Sequence, residues 1–155
     1  MTRTAERGSV SIEVAVLAPA FIALMVLAGV VGRTAIAAEA LDAAAHDAAR
    51  AASISRDADT AEKKAVEAAQ KQLDWHGLVC ANALHPTFSA TVGSHDADFA
   101  DAFRSSVGTD ATVTVTISCR VSYKDITLDI LPGMKSERLI TVEFTSPLDR
   151  YRGRQ

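Results

Sequence analysis

The sequence predicts an α+β protein, a long N-terminal helix followed by a small antiparallel β-sheet module. Three observations carry this reading. A run of 19 uncharged residues, VAVLAPAFIALMVLAGVVG, separates Glu13 from Arg33. An alanine-rich stretch free of Pro and Gly follows it, with ten alanines among the sixteen residues from Ala37 to Ala52. After Gly77 the apolar spacing changes from helical to alternate-residue, most clearly in ATVTVTISCRV at 111–121.

The uncharged run would extend roughly 28 Å as a helix, close to the hydrocarbon thickness of a bilayer. Pro19 and Gly29 lower its propensity in water, but both are tolerated in spanning helices. Residues 9–33 are therefore expected to form a single transmembrane helix. Arg3 and Arg7 precede the run against one acid, Glu6, while Glu39 and Asp42 follow Arg33. That bias places the N-terminus in the cytoplasm and the rest of the chain outside, although Arg33 itself opposes it. A cleaved secretory signal is the competing reading, with a basic start, an apolar stretch and the small residues AIA at 35–37. Against it, the run exceeds an ordinary signal core, and Glu13 stands where apolarity should already have begun. A lone acid at the rim of a spanning segment is costly unless paired, and so invites a functional role.

Beyond the span, residues 34–76 read as alanine-rich extracytoplasmic helix. Leu41, Ala45, Ala48 and Ala52 mark a narrow small-residue stripe that lets another helix approach closely. SISRDADT at 53–60 interrupts the pattern, and Ser55, Asp57 or Asp59 can cap a second segment ending near Trp75. Ala65, Val66, Ala69 and Leu73 form its apolar side, which is expected to cover the sheet. Residues 77–155 read as the β-rich module. Strands are expected around Phe88–Val92, at 111–121, and at 140–144, with a further strand or a loop at 126–130 and a turn at LPGM, 131–134. Residues 94–110 read as a loop with one helical turn near Phe99 and Phe103.

The net charge of −3 and a pI near 5.8 give no electrostatic footprint for nucleic acid. Cys80 and Cys119 are an even pair in the part placed outside, where an oxidising compartment favours a disulfide. The four histidines, His46, His76, His85 and His95, show no metal-ligand spacing. Asp42 and His46 stand one helical turn apart, which reads as a solvated pair. No nucleotide, metalloprotease or serine-hydrolase motif is present, so neither an enzyme nor a cofactor is expected.

The stretch RGSVSIEVAVLAPAF at 7–21 resembles the N-terminus of type IV pilin-like precursors, and specifically the TadE-like family of minor pilins from tight-adherence (Flp-type) pilus systems. Arg7, Gly8, Ile12, Glu13 and Pro19 match that family's pattern, whereas Val14 to Leu17 fit it more loosely. The resemblance implies a leader at 1–8, cleavage by a prepilin peptidase between Gly8 and Ser9, and Glu13 at mature position five. Such cleavage would create an α-amino group one helical turn from Glu13, a natural partner for its charge. Other pilin subunits, the pilus assembly platform and membrane lipid are the implied partners. Two other classes remain open: a membrane-anchored binding module without a filament, and a secreted domain cut near Ala37.

Overall fold

The computed structural model describes residues 7–125 and 136–151, with side chains from residue 12 onward. Helix α1 runs unbroken from Arg7 to Ser53, 47 residues, or roughly 70 Å. It continues through Pro19, which lacks an N–H to bond the preceding turn. At its end, the Ser53 and Ser55 hydroxyls donate to the carbonyls of Arg50 and Ala51, at 3.0 Å each, the second of which has lost its backbone donor because the Ser55 N–H turns to Ala52.

The chain then reverses. Of the three candidate caps, Asp57 is the one used: its carboxylate accepts the Thr60 N–H at 2.8 Å and starts α2, Ala58–Trp75. Helix α2 returns along α1, so that His76 and Gly77 come beside residues 33–40. It ends in a Schellman motif, with Gly77 at φ +63°. The Gly77 and Leu78 N–H groups donate to the carbonyls of Asp74 and Leu73, each at 3.0 Å.

The small-residue stripe of α1 is buried within this chain's own core, between the second helix and the sheet. Leu41, Ala45, Ala48 and Ala52 on α1 and Ala61, Ala65, Ala69 and Leu73 on α2 are all buried in one cluster. The spacing of four on α2 leaves Val66 off this seam and partly exposed. The expectation that α2 covers the sheet holds at β1, where Phe88 shares a groove with Val66 and Gln70 of α2. Helix α1, packed beside α2, lies across β3 and β4.

The sheet is antiparallel throughout, in the order β2-β1-β3-β4, built from β1 Thr87–Val92, β2 His95–Ala97, β3 Ala111–Ser122 and β4 Glu137–Pro147. On β3, Val113, Val115, Ile117, Cys119 and Val121 point inward and are buried. The register sets Ile140 opposite Cys119 and Val142 opposite Ile117. The two apolar rows therefore share one face, as their alternation requires. The expected loop at 94–110 is more ordered than its polarity implied. Gly93 (φ +63°) and Ser94 form a two-residue hairpin turn that adds β2, with positive φ only at the first position, as a type II′ turn needs. Helix α3, Phe99–Arg104, then buries Phe99 and Phe103, where one helical turn was expected. The expected strand or loop at 126–130, the turn at 131–134 and the leader residues 1–6 lie outside the described residues.

A disulfide joins Cys80 to Cys119, with Cα atoms 5.2 Å apart. Around it, residues 80–82 line the edge of β3 beyond the reach of β1. The Ala81 N–H donates to the Arg120 carbonyl at 2.9 Å. The Asn82 side chain donates to the Ser118 carbonyl at 3.1 Å and accepts the Arg120 N–H at 2.6 Å. Backbone groups that would otherwise face solvent at a sheet edge are thereby paired.

Candidate functional site

The first half of α1 sets this molecule apart from an ordinary small domain. Through residues 12–25 apolar side chains project on every side, and Met25 is 76% exposed. A helix apolar all round and uncovered by its own chain needs an apolar surrounding, either lipid or other helices. Its length and composition are sufficient to cross a bilayer. Cover begins at Val26, 8% exposed, and Val30 packs against the core cluster.

Gly8 and Ser9 fall in the opening turn of α1. Glu13 is exposed one turn later, and among the described residues nothing ion-pairs with it. The structure thus places the three expected processing and assembly residues along one short helical stretch, without supplying a partner for the acid.

Where the apolar run stops, the module grips α1. The buried Tyr123 hydroxyl lies 2.7 Å from Thr34 Oγ1, and the Thr34 hydroxyl donates to the Val30 carbonyl at 2.7 Å. Tyr123 is therefore the donor in the pair. Beside it, Arg33 bonds Asp125 at 2.5 Å and holds that carboxyl below its ordinary range. Sequence reasoning missed this junction. A signal existed, because Tyr123 continues the alternate inward row Val113 to Val121.

The remaining candidates stay apart. His46 lies edge-on to Phe144, ring centroids 4.6 Å apart, and 3.2 Å from Asp47. Among the described residues no three His, Cys, Asp or Glu side chains are placed to hold a metal ion. An open groove along the outer face of α2, lined by Val66, Phe88, Lys63 and Gln70 among others, brings no nucleophile to a base. The outer face of the sheet is a hydroxyl surface with cross-strand pairs Thr91–Thr112, Thr114–Thr145 and Ser118–Thr141 at 2.7–2.8 Å. These pairs satisfy one another and rigidify the sheet.

The fold is thus a small disulfide-tied α+β module from which an apolar helix, long enough to cross a bilayer, projects uncovered. Residues 8–50 match the family model described as TadE-like protein. The match takes in the whole apolar run and most of the alanine-rich half of α1, and stops before α2 and the sheet. No curated protein and no solved structure matches the chain.

Proposed function

We propose that this chain is a non-enzymatic TadE-like minor pilin or pseudopilin, inserted as a precursor with its N-terminus in the cytoplasm and its module outside. A prepilin peptidase cuts between Gly8 and Ser9, and the processed subunit serves assembly of an adhesive pilus with other pilin subunits and the assembly platform. The carrying observation is a coincidence: the TadE-like match takes in the whole of the apolar, uncovered part of α1 together with the single acid at its rim, Glu13.

The physical role of Glu13 follows from cleavage. The new amine of Ser9 lies one turn from the carboxylate, where both are poorly hydrated, so each charge becomes the other's natural partner. Leaving one unpaired there costs several kcal/mol. Cleavage near Ala37, as a secretory signal would require, removes Val30, Arg33 and Thr34 from their contacts with the module, which favours retention of the helix.

Mass determination on protein from native membranes tests the reading. A mature start at Ser9 is expected, with Glu13→Gln reaching normal membrane levels but failing in assembly. An intact N-terminus in the presence of the cognate peptidase overturns processing and leaves a plain anchored module. A start near residue 38 makes it a secreted domain.

A further inference from the structure

The end of the module nearest the apolar half of α1 carries apolar side chains that its own fold leaves outside. Trp75, the last residue of α2, is 83% exposed, Val79 is 86% exposed, and Ile36 of α1 is 65% exposed. Their positions are linked by the fold. The Schellman turn at Gly77 buries Leu78 toward the core and turns the chain so that Val79 and His76 line one hollow with Arg33 and Ile36. Trp75 immediately precedes that turn. Two elements distant in sequence thus meet in an apolar rim beside the residue at which the uncharged run ends.

We propose that this rim is a seat on the lipid interface, by which the module rests against the same bilayer that α1 crosses; the inference relies on the anchor reading above. Three observations select lipid as the occupant. The first is depth: Ile36 lies three residues beyond Arg33, about 4.5 Å along the helix axis, and the headgroup region adds roughly 5–7 Å per leaflet. A helix whose hydrocarbon segment ends at Arg33 therefore places Ile36, and the α2 end beside it, within the headgroup layer. The second is residue type. Tryptophan, with an apolar ring and one N–H donor, is enriched at this level of membranes, where one end is dry and the other wet.

The third is charge. Both cations that the fold ties to this end are ion-paired within the chain, Arg33 with Asp125 at 2.5 Å and Lys124 with Glu137 at 3.3 Å. Asp74 accepts from Gln70 at 2.9 Å, and His76 is exposed. With these two cations already neutralised, contact is made by the apolar rim and requires no anionic lipid. The seat fixes the module's orientation on the membrane before assembly, holding α2 and the outer sheet face away from it.

Trp75 is the sole tryptophan of the chain, so its emission reports on the seat directly. The full chain is reconstituted in phosphatidylcholine vesicles whose acyl chains are brominated either near the glycerol end or near the chain terminus. Iodide serves as the aqueous quencher. A companion variant, Trp75→Phe with Met25→Trp, reports on the span. The seat predicts that lipid brominated near the glycerol end removes most of the Trp75 emission, that iodide has little effect, and that raising the salt leaves both results unchanged. Trp75 open to iodide and unquenched by lipid, while the residue-25 tryptophan is quenched from within the bilayer, overturns the seat and leaves the span intact. Trp75 shielded from iodide but untouched by brominated lipid also overturns it, assigning the rim to a second copy of the chain. A residue-25 tryptophan that bilayer bromines do not reach overturns the anchor reading, and the seat with it.

Discussion

Asp57 shows how much one side chain decides at a reversal of the chain. Its carboxylate accepts the Thr60 N–H at 2.8 Å, and that bond, from the backbone, is the leading cause of a carboxyl held below its ordinary value of 3.8. A carboxyl depressed in the folded state contributes stability above the unfolded value and loses it as pH falls through the folded one. The start of α2 should therefore weaken as pH drops below about 4. Asp57→Asn, a neutral acceptor with comparable capping strength, should flatten the part of that acid loss due to this cap; the melting temperature against pH of the two proteins measures it. From the sequence, Ser55, Asp57 and Asp59 were equivalent candidates. Only the path of the backbone shows which oxygen meets a free N–H. Tyr123 repeats the lesson, since its inward position continues the row of β3 but its hydroxyl's partner, Thr34, is 89 residues away.

At the scale of elements, the pairing of α1 with α2 depends on small side chains. Ala65 is fully buried on the seam, so Ala65→Leu inserts volume where the helices already touch and should cost about 1–3 kcal/mol in a urea unfolding series. The Cys80–Cys119 bridge closes a separation of 39 residues. In the chain-entropy treatment, Cys119→Ser should remove about 4 kcal/mol and expose the chain beyond Gly77 to protease, with residues 80–82 loosened from the β3 edge. Unchanged unfolding by that variant would mean that the Asn82 and Ala81 bonds suffice to hold this edge. Strand β3 was the most legible element because its alternation extends over eleven residues. Strand β2 was not, because three residues carry no period; its only sequence mark is the turn residue Gly93 before it.

For the whole molecule, the boundary that counts lies within α1. Residues 12–25 are uncovered, so a chain beginning at residue 26 should remain folded, with near-native circular dichroism and thermal unfolding. A chain beginning at residue 44 loses Ala37, Ala40 and Leu41 from the core and Thr34 from Tyr123, and should not fold cooperatively. Equal unfolding of the two chains would show that α1 is an attachment rather than part of the core.

The sequence by itself determined the apolar run with its lone acid, the helical and alternate-residue halves, and the cysteine pair, because each is written as local composition or period. The tertiary structure alone decided that α1 shares in covering the sheet, which aspartate caps α2, and that His76 and Val79 come to lie beside Ile36 and Arg33. Those outcomes depend on where a reversal at residues 54–57 and a left-handed glycine at 77 send the chain. A turn of a few residues redirects everything after it, while the period of the segments on either side stays the same.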